Sequence, residues 1–389
     1  MQRLWKYCLA AASLAGFVAA PLLRSYAFFP PLTQTILALG CYVVGLVGVF
    51  VLLRHAPLET AAPSTIARIA SHQAARAGIA LALVLYLGVI FHANGSFFKP
   101  ETHTTAWLQA SEYGMLACGM TLVIISGGID LSVGSVLGLV AVCFALMSIH
   151  WQWSAWIAVP AALLIGLGCG TVSGVLTASF RIQPFIATLA MMAFARGLAK
   201  TVSGGRKVFT VVPLPDGGFK EVPVPEVFKT LVARVLGDTI SVVTIIFLAC
   251  AAVAWFALAW RRWGRQLYAV GGNEQAARLS GIRVERVRIA AYAASGLLAA
   301  VAGICHAAQE RQGDPEAGIG YELTAIAMVV IGGTSLAGGT GGIGLTLIGT
   351  LTFGYLEKIL SINNVPQAGR LMLTGLIIIA AVLTQRRQQ

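Results

Sequence analysis

The chain carries few charged residues for its length. Only 11% of its 389 residues are Asp, Glu, Lys or Arg, and 57% are hydrophobic, whereas roughly a quarter of an ordinary soluble domain is charged. A single water-exposed domain of this size could not bury so much apolar surface in its core. The composition therefore excludes an ordinary soluble protein and indicates a membrane protein.

Alternating hydrophobicity is also lacking, because the apolar residues come in continuous runs. Barrel strands alternate, whereas a helix needs about 20 apolar residues to cross a bilayer. We therefore predict an all-α, polytopic membrane protein with about ten core transmembrane helices and two extra N-terminal helices. The expected spans lie near residues 7–23, 32–53, 78–91, 106–125, 131–149, 155–180, 184–201, 240–260, 284–308, 320–336, 343–360 and 369–383.

The motifs of catalysis and cofactor binding are missing. The chain contains no G-x-x-x-x-G-K-[ST], no HExxH and no GxSxG, so we expect no enzyme activity, and any ATP must be used by a separate subunit. Its seven cysteines form no CxxC pair and flank no histidine at zinc spacing. We therefore predict no cofactor, no metal site and no disulfide framework in this chain.

The net charge of +12 is concentrated in short loops. Seven arginines lie between residues 261 and 288, whereas the segment 203–238 carries both signs of charge. By the positive-inside rule the first segment is cytoplasmic and the second external, which places both termini in the cytoplasm of a multi-pass protein of the bacterial inner membrane. No basic stripe with interleaved aromatics is present, so lipid and not nucleic acid is expected as a partner.

The basic segment contains the pattern of a short helix with signals at both ends. Asn273 suits the N-cap, Glu274 suits the positive end of the helix dipole, and Gly281 suits a left-handed C′ position. Glu274 and Arg278 form an i,i+4 pair. From the pattern alone this is either a solvated surface helix or a rigid knob that docks into a partner.

Four stretches of the chain resemble one known family. Residues 271–282 (GGNEQAARLSGI) resemble the coupling segment of the ribose, xylose and galactose importer permeases of the ATP-binding-cassette superfamily. Residues 119–135, 183–189 and 321–339 resemble further blocks of the same permeases, in the same order. The resemblance implies a permease subunit that moves a monosaccharide across the inner membrane, with a permease domain at 78–385.

The resemblance also implies partners and site residues. The partners are a cassette ATPase subunit, a periplasmic sugar-binding protein and a second permease copy in a homodimer or heterodimer. Residues 1–77 lie outside the resemblance and are predicted to form an uncleaved helical pair followed by a cytoplasmic linker. The residues expected to couple the permease to its ATPase are Gly272, Asn273, Glu274, Ala276, Ala277, Arg278, Leu279, Ser280 and Gly281.

Four polar residues near predicted helix ends are candidates for the solute pathway or for helix caps. Ser126 and Asp130 flank a glycine-rich helix break, where Asp130 is placed to cap the next helix. A carboxylate at membrane depth is nevertheless a functional candidate by default. Glu322 begins a predicted span, and Thr324 stands where the family commonly has an acidic residue.

Two glycine-rich segments echo each other, and residues 127–134 are similar to residues 332–339. Transporters often contain internal repeats, but two helix breaks can also be similar by chance, and the sequence leaves both interpretations open.

Three alternative functions also remain open. The first is the same machinery with a branched-chain amino acid, a nucleoside or a furanose signal molecule as solute. The second is an ion-coupled secondary transporter, and the third is a non-transporting scaffold subunit.

Overall fold

The computed structural model describes residues 73–213, 218–235, 237 and 239–384. The predicted spans at 7–23 and 32–53 lie outside these residues. The described helices are α1 (Gln73–Ile90), α2 (Pro100–Ile125), α3 (Val133–Ala145, extended by a π-helical turn, Leu146–His150), α4 (Ala155–Ala178), α5 (Pro184–Ser203), α6 (Glu226–Val232), α7 (Val242–Trp260), α8 (Arg262–Gly272), α9 (Glu274–Leu279), α10 (Val284–Glu310), α11 (Tyr321–Gly332), α12 (Ile343–Ile362) and α13 (Gln367–Thr384). Two antiparallel pairs of short strands, β1 (Val211–Pro213) with β2 (Phe219–Glu221) and β3 (Arg234–Val235) with β4 (Ile240–Ser241), lie between α5 and α7.

Seven of the described helices are long and apolar enough to cross a membrane: α2, α3 with its π-helical turn, α4, α5, α7, α10 and α12. The predicted all-α, multi-pass fold is therefore confirmed for this part of the chain. The spans expected near 78–91, 320–336 and 369–383 correspond to α1, α11 and α13.

The prediction that residues 320–336 form a full span is wrong. Helix α11 has only 12 residues, which at 1.5 Å per residue is about 18 Å, whereas the hydrocarbon core is about 30 Å thick. The helix ends because Gly333 adopts φ 104°, a conformation that glycine accepts and other residues resist. Helix α11 is therefore a half-length helix inside the bundle.

Helix α10 lies at the centre of the bundle and packs against α2, α3 and α4. Its contact with α4 is made backbone to backbone through glycine. A Cβ atom on Gly170 would collide with the carbonyl oxygen of Tyr292 and lie 3.0 Å from the Cα of Gly296, and a Cβ on Gly296 would collide with the carbonyl oxygen of Gly166. Small residues allow membrane helices to approach this closely and so to gain packing energy without a hydrophobic drive.

The two ends of the bundle carry different structures. We call the end that carries α9 the α9 end and the end where α10 terminates the far end. At the far end, Val208 and Gly313 exchange backbone hydrogen bonds of 2.8 and 3.0 Å, and Lys207 forms an ion pair with Asp314 at 2.9 Å. Helix α6 joins the same end, because Phe228 stacks on Phe144 of α3 with ring centroids 5.3 Å apart.

The α4–α10 contact yields a prediction with a control two residues away. Gly170→Leu should destabilise the protein by about 1–3 kcal/mol or more, because the new side chain has no space against α10. Gly168→Leu should have little effect, because no atom lies within 4 Å of a Cβ at that exposed position. The measurement is the melting temperature of each purified variant in detergent, and equal values would contradict the packing described.

Candidate functional site

The short helix predicted in the basic segment is present as α9. Asn273 precedes it with extended backbone, and its Oδ1 accepts a hydrogen bond from the backbone N–H of Ala276 at 2.9 Å. Gly281 follows with φ 80°, as expected of a left-handed C′ residue. The capping pattern is therefore confirmed, while the coupling role of the residues from Gly272 to Gly281 stays a prediction.

One ion pair lies within α9, and two more fasten α9 to the first turns of α10. Arg278 binds Glu274 at 3.1 Å and Glu285 at 2.5 Å, and Arg288 binds Glu274 at 2.7 Å. Burial by itself would raise the pKa of the Glu274 carboxyl, but hydrogen bonds from Arg278 and Arg288 outweigh it and hold the pKa below its usual range. The stability that Glu274 contributes is therefore present at neutral pH and is lost only as the pH falls through this lowered pKa.

Helix α9 projects from the bundle and buries little of its own surface. Ala277 is buried at 4% exposure, whereas Leu279 is 90% exposed, and Ala276, Arg278 and Ser280 are exposed as well. The hydroxyl of Ser280 donates to the carbonyl of Ala276 at 2.9 Å, which closes the last turn. Helix α9 is thus a capped, ion-paired projection with both apolar and polar side chains on its outer surface.

Just before α9, the chain meets both glycine-rich helix breaks. We call this meeting point, formed by Gly127, Gly271, Gly338 and Gly339, the glycine junction. The N–H of Gly339 donates to the carbonyl of Ile125, the last residue of α2, at 3.0 Å. A Cβ on Gly271 would collide with that same carbonyl, and a Cβ on Gly338 would lie 2.9 Å from the oxygen of Gly271 and 3.0 Å from the Cα of Gly127.

The junction connects α8 to two interrupted helix pairs. The break between α2 and α3 and the break between α11 and α12 are the two segments that echo each other in the sequence, and they lie side by side here. The hydroxyl of Tyr268 on α8 adds a hydrogen bond of 2.9 Å to the carbonyl of Gly341. A displacement of α8 and α9 would therefore press directly on the backbone of both breaks.

Asp130 holds the first break in place from within. Its side chain is 1% exposed; Oδ1 accepts from the N–H and hydroxyl of Ser132 at 3.0 and 2.6 Å, and Oδ2 accepts from Ser295 of α10 at 2.9 Å. The N-cap residue of α3 is Ser132 and not Asp130, because the helix begins at Val133, two residues later than expected. Asp130 instead supports the turn before the helix and ties it to α10.

The other predicted pathway or cap residues lie at two places, with Ser126 at the end of α2 and with Glu322 and Thr324 in the first turn of α11. Ser126 is the C-cap residue of α2, and its hydroxyl donates to the carbonyl of Val123 at 2.7 Å. Glu322 lies half-buried in the first turn of α11, and the N–H of Thr324 donates to Gly320 at 3.3 Å. Whether any of these residues lines a solute pathway stays a prediction.

Several ionisable side chains inside the predicted spans were not among the predicted site residues, and Glu112 and Arg196 are two of them. Glu112 in α2 contacts His306 of α10 at 3.2 Å and accepts a hydrogen bond from Gln309. Arg196 in α5 donates to the carbonyls of Pro315 and Ala317 at 2.5 and 2.7 Å. Both residues could have been identified from the sequence, because an ionisable residue within an apolar run is a functional candidate by default.

A resident metal has no evident site in the described ranges. There, no group of three or more His, Cys, Asp or Glu side chains is arranged to hold a metal ion. The fold and the site instead define a multi-pass helical membrane protein with interrupted helices and a rigid basic projection at one end.

Comparison with known proteins identifies the family. Residues 104–382 match the family described as branched-chain amino acid transport system / permease component. The ribose import permease protein RbsC of Escherichia coli is 41% identical over 79% of this chain and 93% of its own length. The L-arabinose transport system permease protein AraH of E. coli is 38% identical over 72% and 81% of the two chains, and the fructose import permease protein FruG of Bifidobacterium longum is 35% identical over 78% and 89%. No solved structure matches the chain.

The chain therefore belongs to this family of transport-system permease components. The family predicted from the four sequence blocks is confirmed.

The glycine junction yields a second prediction with an adjacent control. Gly271→Ala should lower the stability by about 1–3 kcal/mol, because its Cβ would lie 2.7 Å from the nitrogen of Gly339 and closer still to the carbonyl of Ile125. Gly272→Ala should melt like the wild type, because no atom lies within 4 Å of a Cβ there. Thermal melting of both variants in detergent checks this, and a stable Gly271→Ala protein would show that the close contact does not exist.

Proposed function

We propose that this chain is the membrane-spanning permease subunit of an ATP-driven importer that carries a monosaccharide across the bacterial inner membrane. The observation that carries the proposal is the direct backbone contact between the α8–α9 segment and both helix breaks. Such an arrangement can convert a push on a projecting helix into movement inside the membrane. The named solutes of the three relatives, ribose, L-arabinose and fructose, support a monosaccharide.

The energy and the substrate would come from other subunits. The chain has no phosphate-binding loop of its own, so a separate cassette ATPase hydrolyses the ATP and this chain holds no cofactor. A periplasmic sugar-binding protein delivers the solute, and a second permease copy completes the pathway. In this arrangement the basic α9 end faces the cytoplasm, as the positive-inside rule favours, and both termini lie on the same side.

The coupling mechanism follows from the contacts of α9. Closure of the ATPase subunits would displace α9 through its exposed surface, which includes Leu279. The Arg278–Glu285 and Arg288–Glu274 ion pairs restrain α9 relative to α10, and the glycine junction passes the displacement to the ends of α2 and α12. Non-helical backbone within the membrane is tolerated only where protein buries it or where it lines a water-filled cavity, so movement of the breaks changes access to the pathway.

A branched-chain amino acid is the second candidate solute, because the family description itself names branched-chain amino acid transport. The machinery and its coupling would be unchanged in that case.

The first experiment is uptake of labelled ribose, L-arabinose, fructose and leucine by cells with and without this gene, before and after ATP depletion. Loss of the ATP-dependent uptake of one sugar supports the proposal and names the solute. Loss of leucine uptake alone favours the second candidate. Uptake that follows the proton gradient and ignores ATP would overturn the proposed importer.

The ion pairs of α9 predict the outcome of a charge exchange. The double variant Glu274→Arg, Arg278→Glu keeps the i,i+4 pair but places the new arginine beside Arg288 and the new glutamate beside Glu285. Exposed pairs contribute only about 0.2–1 kcal/mol each, so we expect uptake per ATP hydrolysed to fall about 3–10-fold.

The matched control reverses all four charges. Adding Arg288→Glu and Glu285→Arg to the double variant restores three opposite-charge pairs and should recover most of the uptake. The measurement is sugar uptake and ATP hydrolysis by the reconstituted importer. A double variant that couples as well as the wild type would eliminate the proposed role of these pairs.

A further inference from the structure

The segment 311–320, between α10 and α11, turns back into the bundle. It starts at the far end, where Gly313 pairs with Val208. Only a few residues later, Gly318 packs against the first turn of α3, where a Cβ on Gly134 would collide with its carbonyl oxygen. The helix from Gly134 to His150 is about 24 Å long, and the His150 ring contacts the carbonyl of Phe209 at the far end at 3.3 Å. Gly318 therefore lies deep within the membrane.

This chain alone does not enclose the returning segment. Ile319 is 61% exposed and Leu323, in the first turn of α11, is 51% exposed. Irregular backbone at membrane depth does not face lipid, because its N–H and C=O groups would lack partners. The edge formed by Ile319 and Leu323 must therefore either be covered by a second copy of the chain or border a water-filled path. Arg196 keeps the segment in this position through its bonds to Pro315 and Ala317.

Five polar and aromatic side chains lie beside the start of α11, and we call them the α11 cluster: Glu112, Tyr113, His306, Gln309 and Tyr321. Glu112 contacts His306 through Nδ1 and Gln309 through its amide nitrogen. The rings of Tyr113 and Tyr321 lie 4.5 Å apart, and His306 stands edge-on to Tyr321 at 6.2 Å. The cluster thus joins α2 and the last turns of α10 to the start of α11.

The cluster differs from an ordinary structural ion pair. Glu357 of α12, for comparison, is matched by the guanidinium of Arg370 at 3.1 Å. Among the described residues, the one basic group within ion-pair distance of Glu112 is the His306 ring, and ionisable groups at membrane depth are costly. His306 contacts Glu112 through Nδ1, and Gln309 contacts it through the amide nitrogen. The Nε2 atom of His306 and the amide oxygen of Gln309 therefore remain to bind a ligand.

We infer that the α11 cluster binds the hydroxyl groups of the sugar as it passes, which rests on the proposed function. A sugar offers hydroxyls that donate and accept, and a carboxylate, an imidazole and an amide provide the complementary groups. Its C–H face packs on aromatic rings such as those of Tyr113 and Tyr321. The site lies beside the start of a half-length helix, and transporters typically form their substrate sites at such discontinuous helices.

The first test measures sugar preference. The importer is reconstituted with its ATPase and binding protein, and uptake of ribose, L-arabinose and fructose is compared for the wild type, Glu112→Gln and the control Thr121→Val. The control removes a buried hydrogen bond of 2.6 Å to Thr346 in α12, away from the cluster. We expect Glu112→Gln to lower uptake of the accepted sugar about tenfold and to change the ratio between sugars, while Thr121→Val leaves that ratio unchanged.

The second test measures access to the site without transport. Gln309→Cys should react with a charged, membrane-impermeant thiol reagent faster than the wild type with its native cysteines, and the accepted sugar should slow the reaction. Val253→Cys is the control, because Val253 is 69% exposed on the apolar helix α7 and should face lipid. Gln309→Cys that reacts no faster than the control, with or without ATP, would overturn the inference.

The two proposals fail in distinguishable ways. If the wild type takes up no sugar, the proposed function fails and the labelling result alone decides whether the cluster is reached by water. If the wild type transports a sugar, two results would show that the cluster is not the binding site. In the first, Glu112→Gln keeps the wild-type uptake rate and sugar ratio. In the second, it lowers the uptake of every sugar by the same factor.

Discussion

Hydrocarbon offers no hydrogen-bond partner to the backbone, and the architecture of this protein depends on that constraint. It requires helices wherever the chain faces lipid, and it permits interruptions only where protein supplies the missing partners. The break after α2 meets this requirement through Asp130, whose carboxylate binds Ser132 and Ser295. The segment before α11 meets it in part through Arg196, which binds two of its carbonyls.

Glycine allows the interrupted elements to act on one another. At the α4–α10 contact and at the glycine junction, backbones touch with no side chain between them. A change of side-chain rotamer therefore cannot loosen either contact. The ion pair between Glu274 and Arg288 adds a restraint between α9 and α10. A stiff connection of this kind suits the transmission of movement from a projecting helix to breaks within the membrane, whereas a connection through long flexible side chains would absorb it.

Local features of the candidate site were predictable, and features that depend on distant contacts were not. The cap at Asn273, the turn at Gly281 and the Glu274–Arg278 pair involve residues within one or two helical turns, so their pattern appears directly in the sequence. Glu112 and His306 are separated by 194 residues, and nothing local shows that they meet. Helix α11 ends early because Gly333 turns to positive φ, whereas Gly332, its neighbour, remains helical. Residue type does not distinguish these two glycines, so the sequence does not show at which of them the helix ends.

By itself the sequence determined the fold class, the positions of most core helices and the basic segment with its capped helix, because each depends on residue type and local spacing. The family followed from the resemblance of four sequence blocks. Tertiary structure alone decided that the two glycine-rich breaks meet Gly271, that Asp130 binds α10 instead of capping α3, and that a polar cluster forms beside α11. The physical reason is that hydrophobic runs specify which segments enter the membrane, whereas the choice of neighbour within it depends on close backbone packing and on partners for buried polar groups.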